Sequence, residues 1–220
     1  MTDPLETSPL EVLRRDRVLA VVRAPAIPDA ADLCQALAEG GIRTVELTFT
    51  TPDVLTHVAR AAEAASTTGT LLGVGTVLSG DQARAAIDAG ARFLVTPGLR
   101  PEVAEVAVRA GVPVFLGAFT PTEVAQAVDL GSAAVKLFPA GQLGPGYLKD
   151  LRGPYPSVQL LPSGGISAEN AASWLAAGAL AVCAGTSVVP PASVAGGAWP
   201  EIIRRAREFV TALQDPHSPA

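Results

Sequence analysis

The chain has 220 residues, 49% of them hydrophobic, 17% charged and 5% aromatic, with a formal charge of -5. One compact domain with a large buried core fits this length, whereas two full domains would be cramped. The acidic balance argues against a nucleic-acid-binding face, and no apolar run is long enough to cross a bilayer, so neither nucleic acid nor membrane is expected as a partner.

The start, MTDPLETSPLEVLRRDR, lacks the apolar stretch of a signal peptide, which makes the cytoplasm the expected location. From there, short runs of β-branched residues alternate with Ala-rich stretches of helical character, the pattern of repeated βα units on a parallel sheet. The predicted strands, in order, are 18–22 (VLAVV), 43–48 (RTVELT), 70–74 (TLLGV), 92–96 (RFLVT), 112–117 (VPVFLG), 133–138 (AAVKLF), 158–162 (VQLLP) and 179–185 (ALAVCAG). Between them lie PDAADLCQALAEGG, TPDVLTHVARAAEAAS, SGDQARAAIDAGA, PEVAEVAVRAGV, PTEVAQAVDLGS and SAENAASWLAAGA, which open on Pro, Ser, Thr or Asp and mostly close near Gly, as helices do. Residues 188–200 (VVPPASVAGGAWP) read as a loop before a last helix, and residues 1–10 and 214–220 as flexible tails.

Eight such units in one domain of residues 1–220 predict an α/β fold, the (β/α)₈ TIM barrel, with its site where the strands' C-terminal ends open into loops. An open doubly wound sheet is the competing architecture. It would carry a glycine-rich fingerprint after the first strand, and VLAVVRAPAIPDA has none.

Only two of the 16 basic residues are lysines, and Lys136 stands in the middle of the apolar run AAVKLFPA. A lysine inside a buried strand bears a desolvation cost as an ammonium, and the amine form is the nucleophile that attacks a ketone. A lysine that snorkels to solvent or pairs with a carboxylate would look the same in sequence. Lys149, in GYLKDLRG, reads as a surface residue. Glu46 interrupts the strand RTVELT at a position opposite its apolar neighbours Val45 and Leu47. Beside an imine-forming lysine it could shuttle protons; the plainer reading is a core ion pair with Lys136 or Arg23.

Cys34 and Cys183 are far apart and read as small buried hydrophobes rather than a disulfide or metal pair. With His57 and His217 the only histidines, a histidine-built metal site is not expected. Several loops after strands offer anion-binding groups: Arg23, GTVLS (75–79), SGGIS (163–167) and AGTS (184–187). The last two follow strands seven and eight, where glycine amides, hydroxyls and helix N-termini make a phosphate cradle in barrels of this kind.

In order along residues 18–190, AVVRA, VELTFTTP, GVGTV, FLVTPGL, GAFTPTE, AVKLFPA, LPSGGIS and AGTSVV resemble the 2-keto-3-deoxy-6-phosphogluconate / 4-hydroxy-2-oxoglutarate aldolase family. The resemblance implies a class I lyase that splits a phosphorylated 2-keto acid without metal or other cofactor, and a homotrimer. It further implies that Lys136 forms the imine and Glu46 is the acid–base. Arg23 and Thr76 would hold the pyruvyl carboxylate, Pro97 and Phe138 would shape the pyruvate pocket, and Ser163 would govern which face of the substrate reacts. Gly164, Gly165, Gly185 and Thr186 would cradle the phosphate. Two departures from the family stand out: Thr50 occupies a position where many members carry a substrate-contacting arginine, a charge that Arg23 would supply on this resemblance, and Ser163 replaces the usual threonine. Outside this family, a sugar-phosphate epimerase or isomerase, or a metabolite-binding barrel without chemistry, would share the anion loops.

Overall fold

The computed structural model describes residues 8–214. Its strands are β1 (Val18–Val22), β2 (Thr44–Thr48), β3 (Leu71–Gly75), β4 (Leu94–Val95), β5 (Val114–Ala118), β6 (Ala134–Leu137), β7 (Leu160–Pro162) and β8 (Val182–Ala184). Every pairing is parallel, in the order β7-β6-β5-β4-β3-β2-β1-β8. The ends meet through a bridge between Ser163 and Cys183 and a hydrogen bond from the Leu180 amide to the Leu160 carbonyl (2.9 Å), which closes a (β/α)₈ barrel.

The helices between strands are α2 (Ala30–Glu39), α3 (Val54–Thr68), α4 (Gly80–Asp88), α5 (Pro101–Arg109), α6 (Pro121–Asp129), α7 (Gly144–Leu151) and α8 (Ala168–Ala176). Good starts sit where the sequence placed them: Asp29 accepts from the amides of Ala31 and Asp32, and Thr120 and Glu123 cap α6 reciprocally. The recurrent helix-to-strand joint has one geometry. Gly41, Gly90, Gly111, Gly131 and Gly178 all take positive φ (92°, 101°, 67°, 81° and 102°), the left-handed turn that lets the chain drop from a helix onto the next strand.

Two boundaries differ from the sequence reading. The expected N-terminal tail ends early, because α1 (Pro9–Asp16) begins with Ser8 and Pro9 and the Ser8 amide donates to the Glu11 carboxylate (3.2 Å). Ser-Pro-Leu-Glu is a helix start in its own right, and burial of Val12 and Leu13 stabilises the turn that follows. The loop at 188–200 contains a short helix, α9 (Pro191–Ala195), ahead of the last helix, α10 (Trp199–Gln214). Residues 1–7 and 215–220, the remainder of the expected tails, lie outside the described residues.

The apolar side chains form two bodies. One lies between the barrel wall and the ring of helices, with Leu33, Leu37, Val58, Val103, Val124, Trp174 and Phe209 packed on outward-facing Val45, Leu47, Val74, Leu116 and Val135. The other fills the barrel: Leu19, Phe93, Val95, Phe115, Ala134, Leu161, Ala181 and Cys183, with Leu13 entering from α1. The rings of Phe93 and Phe115 stack at 5.2 Å, and Gly73 makes room, since a side chain there would overlap Phe93. Asp16, at the end of α1, accepts two hydrogen bonds from Arg43 (2.9 and 3.0 Å) just ahead of β2, which holds Leu13 against the lower end of the barrel.

Candidate active site

The opposite end, where the strands finish, opens into a cavity of about 600 Å³. Its walls bring together Arg23 after β1, Thr76 after β3, Pro97 after β4, Lys136 and Phe138 on and after β6, Ser163, Gly164 and Gly165 after β7, and Gly185 and Thr186 after β8. All the residues that the sequence assigned to ligand binding therefore share one space. Lys149, by contrast, is exposed on α7. A larger groove of about 1250 Å³ on the outside of α7 and α8 contains Lys149 and Arg152 but neither Lys136 nor Glu46.

Glu46 lies just beneath that cavity, fully buried. The alternation of β2 turns it inward, and its oxygen Oε1 is 3.7 Å from Nζ of Lys136, which reaches across from β6 on the far wall. Glycines make this approach possible. A Cβ at Gly75 would overlap the Glu46 carboxylate, and one at Gly117 would overlap the backbone of Pro97 and Gly98. Lys136 and Gly117 are neighbours in register on β6 and β5, so the wall beside the lysine is bare backbone.

Neither Glu46 oxygen has a hydrogen-bond partner, although both are buried. A buried polar group without a hydrogen bond costs about 1–3 kcal/mol, here set against the attraction of the Lys136 charge at 3.7 Å, and a buried carboxylate so placed marks a candidate functional position. The core ion pair of the plainer reading is present, with Lys136 rather than Arg23 as the partner. Nζ of Lys136 also stands 5.5 Å from the centre of the Phe138 ring, within cation–π range.

Arg23 is clamped at the rim. Its Nη1 donates to the Thr50 hydroxyl (2.8 Å) and its Nη2 to the Thr76 hydroxyl (3.3 Å), while Thr50 and Thr48 share a hydrogen bond of 2.9 Å. Thr76 holds φ +57°, an unfavourable conformation for a β-branched residue and one that structures retain mainly at functional positions. Thr96 supports the loop carrying Pro97 by donating to the Gly98 carbonyl (2.6 Å) and accepting from the Gly117 amide (3.1 Å).

On the other side, Ser163 and Cys183 are bridge partners and both face the cavity. Burial pushes the Cys183 thiol up to about 12, against the smaller opposing pulls of the Lys136 charge and the Ser163 hydrogen bond. The thiol is therefore neutral at ordinary pH, consistent with the reading of Cys183 as a small hydrophobe.

Thr48, Thr96 and Gly117 are contributors that the sequence reading does not single out, and it takes Gly75 only as part of an anion loop and Cys183 only as a buried hydrophobe. Thr48 is two residues beyond Glu46 and so on the same face, and glycines inside strands mark places where something approaches the backbone; those signals were available.

Residues 10–205 match the family described as "Aldolase: KDPG and KHG aldolase". A 2-dehydro-3-deoxy-phosphogluconate aldolase of Treponema pallidum is 39% identical over 193 residues, covering 87% of this chain and 91% of the relative. The enzyme of the same name from Pseudomonas aeruginosa is 35% identical over 205 residues, covering 92% of each chain. Among solved structures, KDPG aldolase from Legionella pneumophila, with pyruvate captured as a covalent carbinolamine, superimposes with a TM-score of 0.85 at 28% identity, covering 93% of this chain and 98% of the other.

Proposed function

From its membership of the KDPG and KHG aldolase family, we propose that this chain is a class I aldolase. Its reaction splits 2-keto-3-deoxy-6-phosphogluconate into pyruvate and glyceraldehyde 3-phosphate, and 4-hydroxy-2-oxoglutarate into pyruvate and glyoxylate, through an imine on Lys136. The observation that carries this reading is the 3.7 Å approach of Lys136 Nζ to Glu46 Oε1 at the base of the cavity.

In the proposed cycle the Lys136 amine attacks the C2 ketone, and Glu46 relays protons while the carbinolamine loses water to give a protonated imine. Glu46 then takes the proton of the C4 hydroxyl. The C3–C4 bond breaks, its electron pair moves toward the imine to give an enamine, and the aldehyde departs. Glu46 returns a proton to C3, and hydrolysis of the imine frees pyruvate and the lysine. Arg23 and Thr76 hold the carboxylate, Pro97 and Phe138 flank the three-carbon unit, Ser163 faces C4, and Gly164, Gly165, Gly185 and Thr186 receive the phosphate. Fixing both ends of the substrate brings C2 to Nζ.

Borohydride added with pyruvate should leave a reduced adduct on Lys136, located by peptide mass spectrometry. An adduct on Lys149, or none at all, would overturn the assignment, and insensitivity to borohydride together with epimerase or isomerase turnover would favour that other class of barrel. A second reading, preference for the galactonate-derived epimer at C4, is favoured by Ser163, a hydroxyl without the methyl group, and by Arg23 and Thr50 in place of the more common arginine arrangement. Comparing kcat/KM for the two epimers and for 4-hydroxy-2-oxoglutarate decides it.

We also read residues 1–220 as one aldolase domain working as a homotrimer in the cytoplasm. No described helix is long and apolar enough to cross a membrane, and two buried, unpaired cysteines suit a reducing compartment. Sedimentation of the purified protein checks the trimer.

A further inference from the structure

We infer that Thr50, braced by Thr48, is the positioning residue that aims Arg23 at the carboxylate end of the substrate. This rests on the aldolase reading above and on the role given there to Arg23.

Among the residues lining the cavity the cations are Arg23 and Lys136. Once the Lys136 nitrogen is bonded to C2, Arg23 is the lining cation left to donate hydrogen bonds to the substrate carboxylate. Yet Arg23 is an exposed, long side chain at the end of β1, which would ordinarily sample many rotamers. It is restrained from two sides: Thr50 takes Nη1 at 2.8 Å and Thr76 takes Nη2 at 3.3 Å. A guanidinium has five N–H donors in a rigid planar fork. With one hydrogen on each Nη committed to a hydroxyl, the plane of the fork is set and the remaining N–H groups stay available for a carboxylate.

The two restraints are unequal. Thr76 faces the cavity and can touch ligand itself, whereas neither Thr50 nor Thr48 lines it. Thr50 therefore acts through Arg23. Its own anchor is Thr48, fully buried two residues beyond Glu46, whose hydroxyl lies 2.9 Å from that of Thr50. The strand that carries the proposed acid–base, Glu46, thus also carries Thr48, the anchor of the brace, so both are registered to one rigid element.

The test uses Thr50→Val, which removes the hydroxyl at an exposed position without changing side-chain volume, with Thr50→Ser as the variant that keeps it. Half-saturation by pyruvate in borohydride trapping and the steady-state constants for cleavage are measured, with thermal unfolding as a control on the fold. Thr50→Val should raise the pyruvate half-saturation and the KM by about three- to tenfold, the scale of one lost hydrogen bond, with a smaller fall in kcat, and Thr50→Ser should restore both. Arg23→Met should raise them further, and adding Thr50→Val to Arg23→Met should change nothing more. Unchanged half-saturation in Thr50→Val while Arg23→Met is impaired would overturn the brace and leave the carboxylate role standing. Unimpaired Arg23→Met would overturn both, and an absence of any adduct in the unsubstituted enzyme would overturn the aldolase reading itself.

Discussion

The half of the barrel mouth built on β1 to β3 and the half built on β7 and β8 offer a ligand different kinds of group. The first works with side chains: Arg23, clamped by Thr50 and Thr76, and below it Glu46. The second works with backbone: Gly164 and Gly165 at φ +90° and +77°, the hydroxyls of Ser163 and Thr186 beside them, and no cationic side chain among its lining residues. In that half the carbonyls of Ser163 and Gly164 accept from the amides of Ala140 and Gly141 (2.8 and 2.9 Å), and a Cβ on Gly165 would stand 3.1 Å from the Cα of Gly141. A charge carried by a long side chain can be supplied from more than one strand and still reach the same ligand group, which is the role proposed above for Arg23. A cradle made of peptide groups has no such freedom. Specificity is therefore most easily retuned through side chains, Arg23 with Thr50 on one half and the Ser163 hydroxyl on the other, and least easily through the glycine backbone of the β7 and β8 half.

The largest effects should come from the floor that both halves share. Lys136→Met should abolish turnover, and Glu46→Gln should lower kcat by about 10² to 10⁴-fold for phosphorylated and unphosphorylated substrates alike; full activity in Glu46→Gln would leave the carboxylate a structural role. Gly75→Ala should approach that loss by displacing the Glu46 carboxylate while the protein stays folded, and normal kcat in this variant would contradict the packing at β3. Gly165→Ala separates the halves: KM for the phosphorylated substrate should rise about tenfold, the equivalent of roughly 1.4 kcal/mol, with little change for 4-hydroxy-2-oxoglutarate. An equal rise for both would mean that the glycine serves the loop and not the phosphate.

Thr76→Gly should do less. It relieves a strain of about 1–3 kcal/mol but adds the flexibility of glycine, about 0.5–1 kcal/mol, so the melting temperature should hold while KM for the keto acid rises a few-fold. A large loss of stability would show Thr76 to be structural. The smallest effect is expected at Cys183, whose buried thiol, pushed up to about 12, should resist alkylation at pH 8 in the native state; rapid labelling there would contradict its burial.

The barrel was legible because strand and helix alternate in sequence with the period of the fold itself, and because each helix-to-strand joint repeats a glycine. Lys136 and Glu46 were legible as charges where apolar residues belong. Arg23, the loop holding Thr76 and the glycine loops were legible as anion-binding groups at strand ends, but their separate roles came only with the resemblance, since exposed arginines and Gly pairs are common. What the sequence hid is what depends on the opposite wall. Gly75 matters because Glu46 lies against it, Gly117 because Pro97 does, and Thr48 because Thr50 leans on it, and none of these relations has a local signature. The helix at Pro9–Asp16 did have one, in Ser8, Pro9 and Glu11, which was outweighed by the polar character of the segment around it.

That helix also bears on traffic. With Leu13 seated in the lower end of the barrel and Phe93 and Phe115 stacked within it, the described side chains fill that end, and the cavity opens at the upper one. On the proposed chemistry the three-carbon fragment is tethered at the bottom of this blind vessel while the aldehyde fragment lies nearer the exit. Release is then ordered by architecture as well as by bonding, aldehyde before pyruvate, and in the reverse direction pyruvate must load first.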